Sequence, residues 1–179
     1  MSAKPLDVTV RPELPSDVPS VRAVEEGAFG RAHEADIVDA VRASGDWLDD
    51  GSLVAVDNAG SVVGHVLLSR GRLVHPDATE TDIGMIGPVA VLPELQRRGV
   101  GGELMRAAIS AAVARRYPVI CLVGHPSYYP RFGFEPARPL GLDPPDPSWP
   151  DDAWMALRLP RWSPELRGSA YFAQAFGEG

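Results

Sequence analysis

The stretch Gln96-Arg97-Arg98-Gly99-Val100-Gly101-Gly102 follows Val89-Ala90-Val91-Leu92-Pro93-Glu94-Leu95 and leads into Glu103-Leu104-Met105. A valine-rich strand therefore runs through a loop of glycine and arginine into a helix, and little else in the chain constrains the fold as much. Glycines let backbone N–H groups approach an anion with no Cβ in the way, and a helix start adds unpaired donors and the positive end of a dipole. Arg97 and Arg98 add charge, so the turn implies a phosphate site. It is not a P-loop, since no Gly-Lys-Ser/Thr closes it. It is not a dinucleotide fingerprint either, since position 104 is Leu rather than Gly.

The helix that follows, 99–116, carries Val100, Leu104, Ala108 and Ala111 at helical spacing, with Glu103 near its positive end and Arg115-Arg116 at its negative end. Pro118 breaks it, and Val119-Ile120-Cys121-Leu122-Val123 reads as a buried strand. A strand–helix–strand order makes the two strands parallel through a right-handed crossover. Upstream, 7–11 alternates as a first strand stopped by Pro12. A helix follows with Ser16 or Asp17 as cap, Pro19 in its first turn, Val21, Val24 and Ala28 on one face, and Gly30 as its end. A second short helix starts near Glu34 with Ile37, Val38 and Val41 inward and Gly45 as its stop. Residues 52–56 and 61–69 form an antiparallel hairpin around Asp57-Asn58-Ala59-Gly60. A polar loop is expected over 72–81, then a long strand over 82–92. Further on, 126–132 forms one or two helical turns, Phe134-Glu135 a short strand, 139–150 a loop and 153–159 a last strand ended by Pro160. The reading is an α/β (α+β) domain over 1–160, a mixed sheet with helices on both faces, and a tail over 161–179 that packs back on it.

Composition narrows the partners. The 17 Lys+Arg against 24 Asp+Glu leave a formal charge of −7, which gives no footprint for a nucleic-acid backbone. The apolar runs fall short of the ~18 residues that cross a bilayer, and the N-terminus lacks the apolar stretch of a signal peptide. One cysteine, Cys121, allows no internal disulfide and reads as a small core residue, so a reducing cytoplasm is the expected compartment. His33-Glu34 is half a zinc motif, but Ile37 stands where the second histidine is needed, and no metal is expected.

Three segments, in order, resemble the GNAT superfamily of acyl-CoA-dependent N-acyltransferases, in particular its small bacterial YhbS-like branch. Gln96 to Gly102 matches the family's Gln/Arg-x-x-Gly-x-Gly-Gly/Ala pyrophosphate loop. Pro126-Ser127-Tyr128-Tyr129-Pro130-Arg131-Phe132-Gly133-Phe134-Glu135 matches the segment ending in Tyr-x-x-x-Gly-Phe. Gly168 to Phe176, with Tyr171 and Ala175-Phe176, is similar to the branch's closing segment.

The resemblance implies a mostly antiparallel sheet with a splayed strand pair and acetyl-CoA as co-substrate. Its pyrophosphate would lie on the N–H groups of Arg97, Arg98, Gly99, Val100, Gly101 and Gly102, and its pantetheine along Val89, Ala90 and Val91. Gly87-Pro88 suits the bulge where such a strand leaves its neighbour, and the freed N–H groups would form an oxyanion hole. Tyr129, four residues before Gly133, takes the general-acid position, where a phenol of ordinary pKa ~10 protonates a departing thiolate. Tyr128 either packs or lines the acyl site. Arg131 either pairs with a surface carboxylate or meets a CoA phosphate. Where many members carry a glutamate base this chain has Met85, which leaves Asp82, Glu25, Glu26, His125 or a water chain as alternatives. His65 and His125 read as ordinary residues.

The expected activity is N-acetyl transfer to a primary amine by direct attack in a ternary complex. The net charge favours a cationic amine or a Lys-bearing peptide at encounter. One rival is a non-catalytic acyl-CoA-binding or sensing module, which has no need of Tyr129. Another is a toxin–antitoxin-type or other assembly partner whose exposed sheet edge mediates oligomers, a homodimer among them.

Overall fold

A computed structural model describes residues 4–173. Among these residues nine strands form one sheet: β1 (Val8–Pro12), β2 (Ser52–Asp57), β3 (Val62–Val74), β4 (Glu80–Val91), β5 (Val119–Val123), β6 (Glu135–Pro136), β7 (Leu142–Asp143), β8 (Trp154–Arg158) and β9 (Gly168–Tyr171). Their order is β1-β2-β3-β4-β5-β8-β6. All neighbours in that order are antiparallel except β4 and β5, which run parallel because a helix connects them.

Alternation of side chains gives each face its own helices. Leu53 and Ala55 of β2 join Leu68, Ile86, Ile120 and Leu122 under α3 (Val100–Ala114), which contributes Leu104, Met105 and Ala108. Val54, between them in sequence, turns the other way with Leu67. There it meets Val21 of α1 (Val18–Phe29) and Val38 and Val41 of α2 (His33–Arg42). A third cluster, with Ile83, Met85, Cys121, Trp154 and Ala170, continues the core toward the C-terminal strands.

Several boundaries differ from the sequence reading, each for a tertiary reason. Residues 72–74 and 80–81 are ladder, not loop. Leu73 is fully buried and Arg72 and Val74 pair with β4, so only 75–79 turns. The same residues pair on their other side with β9, which takes the edge of β3 where β2 has ended. Residues 168–171 of the tail are thus a strand, while Ala175-Phe176 of the closing segment lie outside the described residues. The 139–150 loop holds the two-residue β7, which pairs with β9. Helix α2 ends at Arg42 with Ala43 as its C-cap, before Gly45, and buries Ala35 while Ile37 is half exposed. Asp17 makes no side-chain cap for α1. Its carboxylate accepts the Leu14 N–H and pairs with Arg11 instead.

Candidate active site

The parallel pairing of β4 and β5 covers only Gly84↔Ile120 and Met85↔Cys121. Beyond it β4 passes through Gly87-Pro88 and changes register against β3 between Val66 and Leu68, whereas β5 continues to Val123 against β8. Gly87 has φ 149°, a backbone conformation that side chains resist. The two strands therefore part, and each leaves backbone groups facing the gap. A cleft of about 800 Å³ opens at this fork, with Val89 and Val91 on one side and His125 and Tyr129 on the other.

The loop after β4 closes one end of the cleft. Gln96 Nε2 donates to the Val91 carbonyl at 3.1 Å and staples the loop to the strand. Both Gly102 and Glu103 donate their N–H to the Gly99 carbonyl. The N–H groups of Arg97, Arg98, Gly99, Val100 and Gly101 find no acceptor among the described residues. A Cβ built on Gly101 would stand 2.9 Å from the Tyr128 hydroxyl, so any side chain there would fill this cradle of donors. Arg97, Arg106 and Arg131 line the cleft, and no acidic side chain among the described residues does. Free donors, a helix start and three guanidiniums make a site for a large polyanion.

Tyr129 opens the single helical turn Tyr129–Phe132, within the one or two turns expected over 126–132. Its ring lies against Gly124, where a Cβ would come within 2.3 Å of Cε2, so glycine at 124 is what admits it. Tyr128 meets it edge-on at 5.0 Å and Phe134 at 5.9 Å. Burial pushes the Tyr129 phenol up to about 12, above the ordinary tyrosine range, so it stays protonated at neutral pH. Tyr128 lines the cleft as well. Its hydroxyl lies over Gly101, and its ring carries the Arg131 guanidinium 4.4 Å from its centroid. Arg131 also donates to the Tyr128 carbonyl at 2.8 Å.

The fork gathers Val89, Val91, Gln96, Arg97, Gly99, Gly101, Gly102, Tyr128, Tyr129 and Arg131. Three expected residues lie apart from it. Ala90 and Val100 are buried, so only their backbones can reach a ligand. Arg98 turns toward the N-terminal segment, where its Nε donates to the Lys4 carbonyl at 3.1 Å. The sequence reading missed Arg106 and Phe29. Arg106 follows Gly102 by one helical turn, a readable i,i+4 signal, whereas Phe29 reaches the cleft only because α1 packs there.

Met85 is fully buried and offers no base. Glu26 is ion-paired with Arg22 at the surface, and Asp82 lies 3.9 Å from Arg70. Glu25 and His65, by contrast, are wholly buried and bonded to each other at 2.5 Å. Burial pushes the Cys121 thiol far up, which removes it as a nucleophile. Among the described residues no group of three or more His, Cys, Asp or Glu is placed to hold a metal ion. No helix there is long and apolar enough to cross a membrane.

The same architecture recurs in known proteins. YhbS of Escherichia coli, solved in complex with CoA, superposes with a TM-score of 0.85 at 25% identity over 98% of this chain and 95% of that one. A GNAT family acetyltransferase of Brucella melitensis in complex with acetyl-CoA gives 0.77 at 29% identity over 96% and 99%. In sequence, the uncharacterized N-acetyltransferase YjhQ of E. coli K12 is 36% identical over 121 residues, 68% of this chain and 66% of YjhQ, just under two thirds of its length. Residues 9–137 match the acetyltransferase (GNAT) domain family. With the forked sheet and the donor-lined loop already in place, that match over more than half of the chain makes the protein a member of the GNAT acetyltransferase family.

Proposed function

We propose that the protein transfers the acetyl group of acetyl-CoA to a primary amine by direct attack in a ternary complex. The observation that carries this reading is the fork between β4 and β5, continuous with the donor-lined loop at the start of α3. The N–H groups of residues 97–101, with Arg97, Arg106 and Arg131, would hold the phosphates. The free edge at Val89–Val91 would pair with the pantetheine amides, and backbone N–H groups at the fork would polarise the acyl carbonyl. Acetyl-CoA supplies the activated thioester.

Tyr129 holds the proton that the leaving sulfur needs. From a resting phenol at about 12 to a thiolate near ~8.5, full transfer is uphill by about 3–4 pKa units, roughly 5 kcal/mol. Tyr129 therefore first donates a hydrogen bond. It gives up the proton as positive charge develops on the attacking nitrogen, which lowers the phenol. The negative charge of the whole molecule favours encounter with a cationic acceptor. A screen of polyamines, aminoglycosides, arylamines and Lys-bearing peptides with a thiol-release readout tests the reading. Release of CoA with at least one amine supports it; none across the panel, beside an active control acetyltransferase, refutes it.

A further inference from the structure

One buried chain of polar groups is used by nothing described so far. Glu25 of α1 and His65 of β3 have no exposed surface, and neither does Ser52 of β2. Glu25 Oε1 lies 2.5 Å from His65 Nδ1, His65 Nε2 lies 2.9 Å from Ser52 Oγ, and Ser52 donates to Glu13 Oε2. Glu13 is in turn bound by Arg42, which pairs with Asp39 at the surface. The second carboxyl oxygen of Glu25, Oε2, is buried with no hydrogen-bond partner.

Its position relates it to the cleft. Ala28 and Phe29 line the cleft, and Glu25 precedes them by three and four residues, so it lies on their face of α1, one turn deeper. His65 stands opposite Ala90 in the β3–β4 ladder, between the cleft-lining Val89 and Val91. Cross-strand partners share a face. His65 and Ala90 thus face α1, while Val91 faces Gly101 of α3. The pair sits on the α1 side of β4, on the face opposite the loop that leads into α3.

Counting protons shows what the chain does. Its three hydrogen bonds need three protons. Ser52 supplies one toward the Arg42-bound carboxylate of Glu13, so His65 Nε2 must donate to Ser52 Oγ. The third proton must then lie between Nδ1 and Glu25, as an imidazolium facing a carboxylate or as a carboxylic acid facing a neutral ring. In the first form Oε2 is an unpartnered carboxylate oxygen.

We infer that Glu25, held by His65, is the proton acceptor for the attacking amine, in place of the base that Met85 does not provide. The inference rests on the acetyl-transfer reading above. As the nitrogen lone pair forms the bond to the acyl carbon, the N–H bond breaks and its proton passes to Glu25 Oε2 over water that enters from the cleft past Ala28 and Phe29. This step needs α1 to open by one turn, because Oε2 is buried at rest. Glu25 returns that proton to solvent once the product has left, which restores its carboxylate for the next turnover, while His65 keeps it oriented through Nδ1. One proton enters the chain and one leaves. The charged groups facing Glu25 are His65 from β3 and Glu34 from α2, the latter bound by Arg31.

The test is kcat against pH for wild type and Glu25→Gln, with acetyl-CoA and the amine that wild type acetylates fastest in the panel. The amide can still donate to Nδ1, so the fold should hold. At neutral pH kcat should fall about 10²-fold or more with the KM for acetyl-CoA within about twofold, and the deficit should shrink toward about pH 10. His65→Gln should lose at least about tenfold with the same pH trend. A Glu25→Gln kcat within about threefold of wild type, or a deficit constant across pH, would overturn the inference and leave acetyl transfer standing. If wild type acetylates no amine, the proposed function falls. Histidine ¹⁵N NMR of the free protein then judges the hydrogen-bonded chain by itself: a His65 Nε2–H is expected, and a bare Nε2 refutes the arrangement that holds Glu25.

Discussion

Tyr129 and Gly101 are the two residues on which the proposed chemistry turns. Tyr129→Phe removes only a hydroxyl, and its ring contacts with Tyr128 and Phe134 remain. Stability should change little, while turnover should drop by ~10²–10⁴-fold with the KM for acetyl-CoA nearly unchanged. Steady-state kinetics on the first amine found decides it, and near wild-type turnover would reduce the phenol to packing and favour a sensing module. Because burial holds this phenol at about 12, it stays protonated through the assay range, and loss of its proton gives no fall in rate below about pH 11. Gly101→Glu should leave the circular dichroism spectrum intact and abolish acetyl-CoA binding by calorimetry. Its Cβ would meet the Tyr128 hydroxyl at 2.9 Å, and its carboxylate would repel the phosphates. Wild-type affinity in that variant would place the phosphate site elsewhere.

Among the elements, β9 connects the C-terminal segment to the sheet. It runs antiparallel to β3 through Arg72↔Tyr171, Leu73↔Ala170 and Val74↔Ser169, and parallel to β7. Ala170 is fully buried in the cluster that also holds Met85 and Cys121 of the fork strands. Gly168, where β9 begins, has φ 148°, and a Cβ there would stand 2.0 Å from the Val74 carbonyl oxygen. Backbone cannot move aside as a flexible side chain can. Gly168→Ala should therefore destabilise by on the order of 1–3 kcal/mol from the dihedral alone, and by more once the edge pairing is disturbed. Calorimetric unfolding would measure it, and an unchanged Tm would show that β9 docks independently of this close approach.

For the whole molecule, ligand binding and folding are linked. A ligand that binds only the native state at ~100 times its Kd adds ~2.7 kcal/mol. At the ~2–4 °C per kcal/mol typical of a chain of this size, acetyl-CoA should raise the Tm by about 5–10 °C. Thermal-shift titration is the measurement. A flat response at millimolar acetyl-CoA, beside a responding control, would sink the cofactor assignment while leaving family and fold untouched.

What the sequence determined by itself was local in origin. Glycine spacing marked the loop with unpaired N–H groups before α3, Val100, Leu104 and Ala108 marked α3, and Gly30 correctly ended α1, because each depends on dihedral freedom or a period of 3.6 within one element. Tyr129 was singled out only through the resemblance of residues 126–135 to the family's segment ending in Tyr-x-x-x-Gly-Phe. The tertiary structure decided what depends on neighbours distant in sequence. Residues 72–81 look polar as a stretch, yet 72–74 are strand because β4 and β9 supply partners on both sides. Arg98 sits in the same motif as Arg97, but the N-terminal segment draws it away from the cleft. Glu25 and His65 lie 40 residues apart, and no periodicity links them. Only the packing of α1 on β3 removes both from water and makes them partners, since a buried carboxyl and imidazole must satisfy one another.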